Sequence, residues 1–91
     1  MAEYALMKLP YGPTKRGRLS FAITEEGSES DARPRVGVRM LVGAVVYAPR
    51  PDPSVRITTP VARILIDEPT CVIFETESGS QYRWSCSNAL H

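Results

Sequence analysis

The chain has 91 residues and a mass of 10.1 kDa, room for one small domain and little else. Hydrophobic residues make up 43% and charged residues 23%, which excludes a collagenous repeat and a wholly disordered chain. Eleven Lys and Arg against ten Asp and Glu leave a net charge of +1, so bulk charge demands neither a nucleic acid nor a membrane as partner.

The local signal is period two. Tyr4 to Leu9 is read as a strand rather than a short helix, because the next strand needs a neighbour. Pro10, Gly12, Pro13 and Gly17 break the connection that follows. Within it, GPTKRGRL from Gly12 to Leu19 has the glycine spacing of a phosphate-binding loop. Arg18 and Leu19, however, stand where that loop needs Lys and then Ser or Thr, so nucleotide hydrolysis is rejected. What survives is a basic loop of Lys15, Arg16 and Arg18, which either meets an anion or is a solvated turn.

Leu19 to Thr24 alternates large apolar residues with small or polar ones, as a half-buried strand requires. Residues 25–34 begin with EEGSESD and are expected to form a mobile acidic loop. Val36 to Ala48 follows, with Val36, Val38, Met40, Val42, Ala44 and Val46 on one side. At about 3.3 Å per residue such a strand would reach roughly 43 Å, so a bend is expected at Gly43 or Gly37. The connection over 49–53 is stiffened by Pro49, Pro51 and Pro53. Val55 to Thr58 and Val61 to Ile66 form two strands, or one edge strand broken by Pro60. Asp67 to Thr70 is a turn, and Cys71 to Glu77 and Ser80 to Cys86 are the last two strands. The expectation is all-β: a single domain over 1–91, an antiparallel meander or SH3/OB-like barrel of about five to seven strands.

Counting outward from a two-residue Ser78-Gly79 loop, or from a four-residue loop, places Ile73 opposite Trp84 and Cys71 opposite Cys86. One face then carries Cys71, Ile73, Glu75, Tyr82, Trp84 and Cys86. On this register the two cysteines are either a redox pair or two small residues buried under a tryptophan.

Charge is segregated along the chain. Arg33, Arg35, Arg39, Arg50, Arg56 and Arg63 crowd the middle with no lysine among them. Arginine suits planar, bidentate contact with phosphate or carboxylate. With Tyr4, Tyr11 and Tyr47 these side chains suggest a groove for single-stranded nucleic acid or a nucleotide; the alternative pairs them with Glu75, Glu77 and the acidic segment. Candidate ligand- or partner-binding residues are Lys15, Arg16, Arg18, Arg35, Arg39, Tyr47, Arg50 and Arg56. Glu75 and Glu77 are read as a solvated edge rather than an acid–base pair, and no catalytic residue is assigned. Two cysteines and a terminal His91 are too few for a zinc site, so neither metal nor cofactor is expected. No apolar run approaches the roughly 20 residues of a spanning helix, and MAEYALMKLPYG lacks the pattern of a secretory leader. The expected location is cytoplasmic.

Residues Thr59 to Trp84 carry the pattern Thr-x-Val-x-x-Ile followed by Val-x-Phe-x-Thr-x-x-Gly-Ser-x-Tyr. It resembles C-terminal β-meanders of small proteins from phages and mobile elements. The resemblance implies a small β protein that acts by binding, such as a phage-encoded inhibitor of a bacterial defence system. The expected function is thus a non-enzymatic binding protein that occupies a host protein or sequesters a small anionic, nucleotide-like ligand. The alternative is a small-barrel binder of single-stranded nucleic acid. The valine-rich strand carries more apolar surface than one copy easily covers, so at least a dimer is expected.

Overall fold

A computed structural model describes residues 2–43 and 56–88. The fold is all-β, with two antiparallel sheets enclosing one core. The strands are β1 (Ala2–Lys8), β2 (Thr14–Gly17), β3 (Leu19–Thr24), β4 (Gly27–Ser30), β5 (Arg39–Gly43), β6 (Arg56–Ile57), β7 (Val61–Glu68), β8 (Cys71–Thr76) and β9 (Gln81–Asn88). One sheet has the order β2-β1-β9-β8-β7 and the other β4-β3-β5-β6; the two do not merge into a closed barrel among the described residues.

Alternation decides which side of each strand is buried. Tyr4 and Leu6 of β1, Val72 and Phe74 of β8, and Trp84 of β9 face inward from the first sheet. They meet Ala22, Met40 and Val42 of the second, with Val38 just ahead of β5. Three side chains therefore cover the expected apolar side of the Val36–Ala48 segment within the chain. Val36 departs from that side and is 61% exposed, because Gly37, at φ 94°, turns the backbone between them. Residues 44–48 lie outside the described residues.

Ser20 stitches the two sheets together, while Thr58 ties the end of β6 to β5 within the second sheet. Trp84 Nε1 donates to Ser20 Oγ at 3.0 Å, and Ser20 Oγ donates to the Ala32 carbonyl at 2.9 Å. Thr58 Oγ1 accepts from the Met40 N–H at 3.0 Å while the Thr58 N–H donates to the Met40 carbonyl at 2.9 Å. Buried polar atoms are thereby satisfied where they cross the core.

Nine strands among the described residues exceed the expected five to seven, because two segments read as loops are strands. The basic stretch after Gly12 contains β2, held to β1 from Tyr4↔Gly17 to Met7↔Thr14. The acidic segment contains β4, which pairs with β3 from Phe21↔Ser30 to Thr24↔Gly27 across a Glu25-Glu26 turn. Both strands are polar edges, and such edges lack the apolar alternation that marks a strand with one face on a core. Pro60 separates β6 from β7, and those two strands belong to different sheets.

The last hairpin has a different register from the one expected. Thr76 N–H donates to the Ser80 carbonyl at 2.8 Å and Gly79 N–H to the Thr76 carbonyl at 2.9 Å. The loop is therefore three residues, Glu77-Ser78-Gly79, with Gly79 at φ 87° supplying the left-handed position that closes such a turn. An odd loop moves every pair by one. Val72 opposes Trp84, Phe74 opposes Tyr82, Ile73 opposes Arg83 and Cys71 opposes Ser85. Trp84 is not a neighbour of Ile73, and Glu75 does not share a face with Tyr82. Cys71 and Cys86 project from opposite faces of the sheet and both thiols are free, which removes the redox pair.

Arg33 fastens the connection between β4 and β5 to the rest of the molecule. Its guanidinium donates to the Pro69 carbonyl at 2.6 Å and the Glu68 carbonyl at 2.8 Å, and it pairs with Asp67. The same group lies 5.7 Å from the centre of a Trp84 ring. Beside it, the Tyr4 hydroxyl donates to Asp31 Oδ1 at 3.0 Å. Burial, reinforced by Asp31, pushes the Tyr4 phenol up to about 12.

Candidate functional site

The outer face of the five-stranded sheet carries a shallow basic trough. Its floor is Ala5 of β1 and Ser85 of β9, which oppose each other directly. Small side chains here let a ligand approach the backbone closely. Arg16 of β2 opposes Ala5 from the other side, and Arg83 of β9 opposes Met7. The two guanidiniums therefore flank β1 diagonally, their Cα atoms roughly 10 Å apart across the sheet and about 7 Å along it. Two adjoining concavities of about 340 and 190 Å³ share Ala5, Arg16, Arg83 and Ser85. Thr14 lines the smaller, and Glu3, Cys71 and Ser87 the larger.

Neither Arg16 nor Arg83 has a side-chain hydrogen bond or ion pair among the described residues, in contrast to Arg33, Arg35 and Arg63, which are paired with Asp67, Glu29 and Glu75. Unpaired guanidiniums beside hydroxyl donors suit a phosphate or carboxylate, which accepts bidentate hydrogen bonds. A larger concavity of about 530 Å³ lies at the β3–β4 turn, lined by Glu25, Glu26 and Glu29 with Arg35. Arg35 is already engaged by Glu29, so that hollow offers an anion no spare cation.

The sequence-derived candidates are scattered by the fold. Strand alternation separates Lys15, on the side of Leu6, from Arg16, on the side of Ala5. Arg18 is exposed at the bend between β2 and β3, and Arg39 is exposed on β5 opposite Ile23. Arg56 lies in β6 opposite Val42, and Tyr47 and Arg50 fall outside the described residues. Tyr4 is buried rather than available for stacking, whereas Tyr11 is 96% exposed. Of the six that are described, only Arg16 joins the trough. Its partner Arg83 was hidden by the register, since an even loop puts Arg83 on the face of Phe74. The recoverable signal was the match of apolar faces. Val72 and Phe74 share a side with Tyr82 and Trp84 only if the loop is odd.

Glu75 and Glu77, read as a solvated edge, take different positions. Glu75 accepts from Arg63 Nε at 3.0 Å and Gln81 Nε2 at 3.4 Å, and these bonds hold its carboxyl below the usual carboxylate range. Glu77 stands in the turn. Among the described residues no three of His, Cys, Asp and Glu converge on a point where a metal ion would sit, and no helix is long and apolar enough to cross a membrane.

Fold and site together define a small two-sheet β domain with an arginine pair on its outer face. No protein-family model matches the chain, and no curated protein or solved structure is significantly similar to it.

Proposed function

We propose that this is a non-enzymatic binding protein whose outer sheet face captures an anionic group, a phosphate or carboxylate of a small ligand or of a partner protein. The observation that carries it is the diagonal pair Arg16 and Arg83, unpaired among the described residues, over the small floor of Ala5 and Ser85. The two free thiols suit a reducing compartment such as the cytoplasm. An inhibitor of a bacterial defence system is a narrower form of the same proposal. Its support is the resemblance of residues 59–84, which run from ahead of β7 into the first half of β9.

Calorimetric titration with pyrophosphate, an adenine nucleotide and a labelled oligothymidylate tests the reading. Heat from the first two is expected to fall as salt rises. Arg16→Ala or Arg83→Ala is expected to weaken binding about tenfold or more, as loss of a charge-assisted hydrogen bond does. Binding left intact in the double variant rejects the trough. The oligonucleotide addresses the nucleic-acid alternative. Three of the mid-chain arginines are committed to carboxylates and Tyr4 is buried, which argues against these groups as a stacking groove.

A further inference from the structure

Among the described residues β7 is an edge of the five-stranded sheet and pairs with β8 alone. Its first residue is tied inward: Val61 N–H donates to the Val38 carbonyl at 2.8 Å, and Gly37 N–H to the Val61 carbonyl at 2.9 Å. From Ala62 to Glu68 no described backbone meets the free edge. Leu65 and Ile66, at its centre, are 40% and 44% exposed.

The register with β8 shifts twice, leaving Ala62 and Leu65 as extra residues. In a regular strand Arg63 and Glu68, five positions apart, would face opposite sides. The extra residue at Leu65 brings them to one side: Arg63 opposes Glu75 and Glu68 opposes Cys71, both on the outer face. Asp67 is held by Arg33, while the Glu68 carboxylate has no ion-pair partner among the described residues.

We propose that two copies of the chain associate through β7, edge to edge and antiparallel, to form one sheet continuous across a two-fold axis. Main-chain hydrogen bonds along the free edge supply the adhesion. The charge pattern selects the direction. An antiparallel pairing sets Arg63 of each copy toward Glu68 of the other, twice over, with Leu65 and Ile66 covering one another between. A parallel pairing would set like charge on like, which is unfavourable. The guanidinium of Arg63 is exposed beyond its contact with Glu75 and can serve both carboxylates. This surface replaces the valine-rich segment as the site of self-association. It involves neither Arg16 nor Arg83, so it stands or falls apart from anion binding.

Sedimentation equilibrium of the full chain across the micromolar range tests the proposal, with circular dichroism to confirm folding. The expected mass is twice 10.1 kDa. Leu65→Lys and Arg63→Glu are each expected to weaken the dimer at least about tenfold, and Arg63→Glu with Glu68→Arg to restore it. A misfolded variant would show no such rescue. A wild-type monomer throughout, or a dimer indifferent to both single substitutions, overturns the interface. A double variant as weak as Arg63→Glu overturns the antiparallel direction.

Discussion

Trp84 and Ser20, 64 residues apart in the chain, meet in the core through a 3.0 Å hydrogen bond from indole to hydroxyl. The bond joins β9 of one sheet to β3 of the other, and both residues are buried. Ser20→Ala leaves the indole N–H without a partner and is expected to cost about 1–3 kcal/mol. Trp84→Ala removes the largest buried side chain, at about 3–5 kcal/mol. Denaturant unfolding measures both, and a Ser20→Ala variant as stable as the parent would contradict the buried bond.

Arg33 holds three acceptors on the β7–β8 turn and lies over Trp84. Lysine keeps the charge but not the planar fork. Arg33→Lys is therefore expected to lose most of what Arg33→Ala loses, about 1 kcal/mol for a partly exposed group. Faster amide exchange at the turn should accompany the change.

The glycines at 12 and 79 make separable predictions. A Cβ at Gly12 would lie 2.6 Å from the Lys8 carbonyl oxygen and 2.7 Å from the Lys8 Cβ, so Gly12→Ala must displace backbone. At Gly79 there is open space, but φ is +87°. Gly79→Val is expected to cost about 1–2 kcal/mol, and Gly79→Asn much less, since Asn tolerates the left-handed region. Equal losses for Val and Asn would show that the conformation is not what the position demands.

Cys71 and Cys86 sit on opposite faces of the sheet. Mild oxidation of the native protein is expected to leave the monomer free of an intrachain disulfide, read by intact mass before and after reduction. An intrachain bond formed without unfolding would show that the observed register is wrong.

Tyr4 gives a pH dependence with a definite sign. Its phenol rises from 10.0 to about 12 on folding, through burial first and the Asp31 contact second. The folded state thus favours the protonated form. The associated stability is complete below the unfolded value and is lost as pH climbs from 10.0 through about 12. In ultraviolet titration Tyr4→Phe should remove an ionisation near about 12, and the variant's stability should decline less over that window.

Much of the architecture was legible in order of residues. The alternation in Leu19 to Thr24, in Val38 to Val42 and in Cys71 to Thr76 states where strands run, because one face of each must leave water. The turn near Pro69 and the separation imposed at Pro60 follow from local backbone chemistry in the same way. Less legible were β2 and β4, whose exposed polar residues carry no periodic signal.

What tertiary structure alone decided is parity and partnership. Two-, three- and four-residue loops all suit Glu77-Ser78-Gly79-Ser80 locally, and the local differences among such turns are small. Burial chose between them: the odd loop puts Val72, Phe74 and Trp84 together inside and sends Arg83 out, where an even loop splits the apolar residues between faces. The candidate site depends on that choice, since Arg83 reaches Arg16 only from the outer face. Likewise arginine composition does not say which guanidiniums are spent on carboxylates. Arg33, Arg35 and Arg63 are engaged by Asp67, Glu29 and Glu75, and only Arg35 and Glu29 are near in sequence. Ion pairs across strands are set by register, and register is set by the core.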